Sequence, residues 1–90
     1  LYFDQFNIVH ENKQTVFIYP NPFNNKFNIR LINGETIGDV ELYNQIGELV
    51  YSKRSINSPE CIIEMGYKGI ILLKLTDNRG NCITTKLISK

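Results

Sequence analysis

From residue 16 onward the chain reads with a period of two. Val16-Phe17-Ile18-Tyr19 is a short apolar stretch halted by Pro20-Asn21-Pro22, whose two prolines cannot donate to a sheet ladder. Phe27, Ile29 and Leu31 alternate with Lys26, Asn28 and Arg30, the pattern of a half-buried strand with one wet face. After the turn dipeptide Asn33-Gly34, Val40 and Leu42 alternate with Asp39 and Glu41. Asn44-Gln45-Ile46-Gly47 then turns the chain into Leu49-Val50-Tyr51. Ser52 to Glu60 is polar, contains Pro59 and predicts a loop. Cys61, Ile63 and Met65 share one face of the next strand, with Ile62 and Glu64 on the other. Gly66 to Gly69 turns again, and Ile70 to Thr76, the most apolar strand, is the expected centre of its sheet. Asp77-Asn78-Arg79-Gly80 makes a hairpin turn before the last strand, Asn81 to Ser89.

Seven strands thus follow at intervals of roughly 8–12 residues with Gly, Asn and Pro between them, the spacing of a β-sandwich. The expected fold is all-β: a seven-stranded, Ig-like antiparallel β-sandwich. Residues 1–14 differ. Phe3, Phe6, Ile8 and Val9 keep no firm period and leave room for an extra N-terminal strand, whereas His10-Glu11-Asn12-Lys13-Gln14 is polar throughout and reads as a linker. The expected division is a linker, or the end of a preceding region, over 1–14 and one domain over 15–90. The strands offer about fifteen inward positions, each worth about 1.5–3 kcal/mol when fully buried, roughly enough to offset backbone ordering. Edge strands of so small a sandwich leave homodimerisation by strand pairing open.

Composition strengthens the β reading. Thirteen Ile, four Val, five Thr and ten Tyr+Phe stand in 90 residues, and Ala, the best helix former, is missing. Ten Lys+Arg against nine Asp+Glu leave a net charge of +1, which supplies no field for nucleic acid or an anionic membrane. The longest apolar run, Ile70-Ile71-Leu72-Leu73, is far short of the about 20 residues of a transmembrane helix. The chain opens without Met, a basic start or a signal-peptide core, so a piece of a longer protein is expected.

Candidate chemistry is sparse. Cys61 and Cys82 lie 21 apart and His10 is remote from both, which does not make the paired ligand spacing of a zinc site. Asp77 to Asn81 is too short for a calcium loop and carries Arg79 in its middle. A Cys–His nucleophile would have to use His10 in the linker, and no G-x-S-x-G elbow is present. Glu35, Asp39 and Glu41 form carboxylate pairs on what alternation makes a solvated face. Neither catalysis nor a cofactor is expected. Lys53-Arg54 is a lone basic pair, short of the basic, aromatic stripe that binds nucleic acid. A Cys61–Cys82 disulfide would close a loop of about 20 residues and contribute around 3 kcal/mol. The alternative is two thiols acting as small hydrophobes. Cys82 shares a face with Thr84 and Lys86, opposite Ile83 and Leu87, which argues against both sulfurs pointing into one core.

The specific signal is the order of the punctuation. Tyr19-Pro20-Asn21-Pro22 leads a strand, and Val40-Glu41-Leu42-Tyr43-Asn44-Gln45-Ile46-Gly47-Glu48-Leu49-Val50-Tyr51 follows. Gly69-Ile70-Ile71-Leu72-Leu73-Lys74-Leu75-Thr76-Asp77 comes next, then Gly80 and a closing Thr85-Lys86-Leu87-Ile88. This series resembles the type A C-terminal sorting domain of proteins exported by the type IX (Por) secretion system of Gram-negative bacteria. Each motif is short, but four in order at matching spacing are specific, and they cover residues 16–90. Ile71 stands where the family usually has Tyr, and the segment before Gly69 is shorter than common.

The resemblance implies a secretion signal rather than an enzyme. Its implied partners are the type IX translocon, an outer-membrane shuttle protein and a sortase-like cysteine peptidase. The peptidase typically removes the domain and joins the cargo to the cell surface. The implied location is the periplasm in transit, then the outer membrane, the cell surface or the medium. Recognition is expected at Pro20, Asn21, Pro22, Gly47, Gly69 and Gly80, and at the terminal Lys86-Leu87-Ile88-Ser89-Lys90, which an edge strand would offer by β-augmentation. Cleavage is expected within His10, Glu11, Asn12, Lys13 and Gln14. The alternative is an Ig-like adhesion or carbohydrate-binding module, for which Tyr2, Tyr43 and Tyr67 are the candidate stacking aromatics.

Overall fold

Side-chain alternation becomes burial almost residue by residue. In the segment Lys26–Leu31, Phe27, Ile29 and Leu31 are buried while Lys26 and Arg30 are exposed. The computed structural model describes residues 7–11, 14–20, 23–32 and 34–90. Among these it has eight strands: β1 (Asn7–Glu11), β2 (Gln14–Tyr19), β3 (Lys26–Leu31), β4 (Ile37–Tyr43), β5 (Leu49–Lys53), β6 (Glu60–Glu64), β7 (Gly69–Asp77) and β8 (Cys82–Ser89). They form two four-stranded sheets, β1-β2-β3-β6 and β5-β4-β7-β8, with every ladder antiparallel. The molecule is an all-β sandwich consistent with the Ig-like class.

The core lies between the sheets. Val16, Ile18, Phe27, Ile29, Leu31 and Ile63 enter it from the first sheet. Ile37, Val40, Leu42, Ile71, Leu73, Leu75, Ile83 and Leu87 enter from the second, and Phe23 joins them from a loop. Cross-strand partners make the packing units: Ile18 faces Ile29, Phe27 faces Ile63, Leu42 faces Leu73, and Ile71 faces Leu87. β7 is central, flanked by β4 and β8, as its apolar run predicts.

Two departures from the sequence reading have a common cause, in that backbone pairing does not need apolar side chains. The polar run from His10 to Gln14 was expected as a linker, yet His10 and Glu11 close β1 and Gln14 opens β2. His10 pairs with Thr15 and Glu11 with Gln14. The second departure is the start of β4 at Ile37, ahead of the alternation that begins at Asp39. A register shift between Ile37 and Asp39 breaks the period, so Ile37 and Val40 both point inward three residues apart. Gly38 makes this possible. A Cβ there would stand 3.1 Å from the Thr76 carbonyl oxygen and 3.3 Å from that of Asp77, both rigid backbone atoms of β7.

The hairpins at the two ends of the second sheet use one device twice. Asn44 Oδ1 accepts the N–H groups of Ile46 (3.1 Å) and Glu48 (2.9 Å), while Gly47 N–H donates to the Asn44 carbonyl. Asp77 Oδ1 likewise accepts the N–H groups of Arg79 (2.9 Å) and Asn81 (2.8 Å), while Gly80 N–H donates to the Asp77 carbonyl. Asx side chains that mimic a backbone turn in this way set the hairpin register. The buried Asp77 carboxylate, considered above as a calcium ligand, also accepts from Asn81 Nδ2 at 3.1 Å, so it holds its own turn.

Gly38→Ala is therefore expected to destabilise the domain by about 1–3 kcal/mol, as overpacking against backbone does. Thermal unfolding followed by circular dichroism should show a midpoint lower by at least about 4 °C. An unchanged midpoint would mean that β4 and β7 can separate at the bulge without loss.

Candidate recognition end of the sandwich

Strand direction decides which motif residues meet. β2, β4, β6 and β8 finish at the same end of the sandwich, where β3, β5 and β7 begin. That end collects exposed Pro20 after β2, Gly47 in the β4–β5 turn, Gly69 at the start of β7, and Lys86 to Lys90. Gly80 sits at the opposite end, in the β7–β8 turn. Asn21 and Pro22 lie outside the described residues, as do Asn12 and Lys13. His10, Glu11 and Gln14 belong to the far end, because His10 pairs with Thr15, whose carbonyl accepts from Ile32 N–H. The two ends are separated by the length of β8, about 27 Å for eight extended residues.

The last residues are held by a contact that alternation does not reveal. Phe23 pairs in parallel with Ser89: its N–H donates to the Ile88 carbonyl at 2.9 Å, and its carbonyl accepts from Lys90 N–H at 2.8 Å. The Phe23 ring is buried against Phe27, with centroids 4.6 Å apart at 55°. Close by, Lys68 Nζ donates to Asn24 Oδ1 (3.1 Å) and Asn25 Oδ1 (3.0 Å), tying the loop before β7 to the loop before β3. The outward backbone groups of Ile88 and Lys90 are thus already paired, which removes them as a template for an added strand.

Side-chain directions divide the terminal segment. Leu87 and Ser89 point into the core, whereas Lys86, Ile88 and Lys90 face solvent. Among the described residues, Ser89 Oγ is buried without a hydrogen-bond partner. Gly47, Gly69 and Gly80 have positive φ of 87°, 116° and 88°. The value at Gly69 lies beyond the left-handed helical well, in a region that only glycine enters readily.

Cys61 and Cys82 are not joined by a disulfide. They lie on β6 and β8, edge strands of different sheets. Burial pushes the Cys61 thiol pKa up, with Lys53 opposing the shift, so it is a poor nucleophile at neutral pH. It lines an open cleft of about 540 Å³ with Tyr19, Asn28, Lys53, Ile56 and Glu60. The carboxylates of Asp39 and Glu41 are bridged by Arg54 at 3.6 and 3.4 Å. Tyr43 donates to Glu41 Oε1 at 2.8 Å, a bond that raises the phenol pKa. Tyr67 packs on the core and Tyr43 lies on the outer face of β4, while Tyr2 is outside the described residues. Tyr43 and Tyr67 therefore do not share a stacking platform.

Among the described residues no helix is long and apolar enough to cross a membrane, and no cluster of three His, Cys, Asp or Glu side chains is placed to hold a metal ion. A protein-family model described as a secretion system C-terminal sorting domain matches residues 17–90. No curated protein matches the chain.

Ser89→Ala should stabilise the domain by about 1 kcal/mol, because it deletes a buried hydroxyl that has no partner among the described residues. The check is a midpoint raised by about 4–8 °C in thermal unfolding. A lower midpoint would show that the hydroxyl is bonded in solution.

Proposed function

We infer the function from one premise: the chain belongs to the family of type IX secretion system C-terminal sorting domains. It is therefore a sorting signal, which implies interaction with the type IX machinery and passage across the outer membrane to the cell surface or beyond. A domain of this kind is a label and is not itself catalytic.

On that basis the end carrying Pro20, Gly47, Gly69 and Lys86 to Lys90 is the part read by the translocon and its outer-membrane shuttle. The reading is supported by the gathering of these separately encoded motifs at one end, on a terminal strand held in place by Phe23. Because Leu87 and Ser89 face inward, Lys86, Ile88 and Lys90 supply the side chains that a partner meets. The sortase-like peptidase then acts between His10 and Gln14, at the opposite end, and the released cargo is anchored at the surface. Separation of the two ends by the length of a strand allows one to be held while the other is cut.

Fusing the 90 residues to a periplasmic reporter tests the sorting role. Export is expected only where a working type IX machine is present, and export without it would overturn the assignment. The triple variant Lys86→Ala, Ile88→Ser, Lys90→Ala keeps both inward side chains. It should leave a folded reporter stranded in the periplasm, and surface display at normal yield would refute the role of this segment.

Processing is checked separately by N-terminal sequencing of the domain released from secretion-competent cells. The new terminus is expected between His10 and Gln14. A terminus inside residues 16–90 would rule out that region.

A further inference from the structure

The family match begins at residue 17, inside β2, so β1 stands ahead of it. β1 is the edge of the first sheet and lies beside β8 of the second. Its register with β2 runs from Asn7↔Ile18 through Ile8↔Phe17, Val9↔Val16 and His10↔Thr15 to Glu11↔Gln14. Two residues stand between Glu11 and Gln14 in sequence, so the strands are the arms of a tight hairpin. The junction at which cleavage is placed above is therefore paired backbone: His10 and Glu11 on one arm, Gln14 on the other.

That pairing opposes cleavage. A binding cleft that takes its peptide as an extended strand does so by pairing with the peptide's own backbone groups. Here those groups are engaged in the β1–β2 ladder on both sides of any bond between His10 and Gln14. A two-residue connection leaves too little chain to enter a cleft while both arms stay paired. β1 has to leave β2 before the junction can be cut. Its departure is local, because β2 keeps its second ladder, from Val16↔Leu31 to Tyr19↔Asn28, and β3 keeps β6. Edge and terminal elements open at a free energy well below that of global unfolding.

We propose that β1 is an autoinhibitory strand: its pairing with β2 withholds the junction from the peptidase, and opening of the hairpin sets the rate of processing. The proposal rests on the sorting function and the junction inferred above. The strand takes no part in the chemistry, which belongs to the peptidase. While the hairpin is closed, the label stays joined to its cargo.

Opening is read first in the purified 90-residue chain with a glutamate-specific endopeptidase. Glu11 is the only acidic residue between Asp4 and Glu35, so the cut after it is resolved by mass. Cleavage that needs an opened state tracks the open population, so the rate should be at least about tenfold below that of a free peptide of residues 7–19. Ile8→Pro with Val9→Pro leaves residues 10–14 unaltered. Of two neighbouring N–H groups on a strand one faces the ladder, and this variant deletes both. Its cut after Glu11 should approach the rate of a peptide carrying the same prolines, with circular dichroism confirming a folded sandwich. Ile8→Gly with Val9→Gly keeps the N–H groups but weakens the strand, and should fall between.

The second readout is the reporter fusion in secretion-competent cells, where both variants should be processed severalfold faster than the parent at the same new terminus. A parent chain cut as fast as its free peptide would refute the autoinhibitory pairing. So would variants that open to the endopeptidase yet are processed no faster than an exported parent, which leaves the sorting function standing. A parent fusion that is not exported overturns the sorting function, a failure that the endopeptidase rates do not share.

Discussion

The attachment of Phe23 to the last three residues is the constraint on which this end of the domain depends. β8 is the edge of its sheet and the end of the described chain, where strands ordinarily fray. Two backbone hydrogen bonds from Phe23, together with a ring buried on Phe27, hold it to the opposite sheet. Burial of such a ring is worth about 1.5–3 kcal/mol. The same contact closes one side of the sandwich at Ser89, which the β7–β8 ladder sets opposite Gly69. Lys68, bonded to Asn24 and Asn25, reinforces the closure from the β7 side. The final residues are thereby held in place on the sandwich.

This closure changes how the end can be recognised. Ile88 and Lys90 have spent their outward backbone groups on Phe23, so on the function proposed above a partner meets side chains there. A net charge of +1 gives no long-range steering. Exposed Leu and Ile on a sheet carry an aggregation hazard, which a small contiguous patch limits.

Much of the fold was legible because burial of one sheet face imposes a period of two. β3 and β8 follow their alternation residue by residue, and β7 is central as its composition suggests. The facing of the cysteines is also as expected: Ile63 beside Cys61 is buried, and Cys82 lies opposite Ile83 and Leu87. Legibility failed where the backbone rather than the side chain does the pairing. The polar ends of β1 and β2, the bulge at Gly38 and the parallel contact of Phe23 carry no periodic signal. The shared geometry of the Asn44 and Asp77 turns was open to sequence, since both read Asx-x-x-Gly, but their hydrogen bonds appear only in three dimensions.

By itself the sequence determined the all-β class, the strand order along the chain, the turn chemistry and the family. Each of these depends on residues near one another in sequence or on the order of short motifs. Tertiary structure decided which motifs meet, placing Gly47 and Gly69 with the terminal segment and Gly80 at the far end. It also decided that Leu72, in the middle of the most apolar run, faces solvent beside Tyr43 and Leu49. The physical reason is that a strand has two faces but the sandwich covers only one. Which side of a fully apolar strand stays wet is set by the sheets it joins, a long-range outcome that local alternation cannot encode.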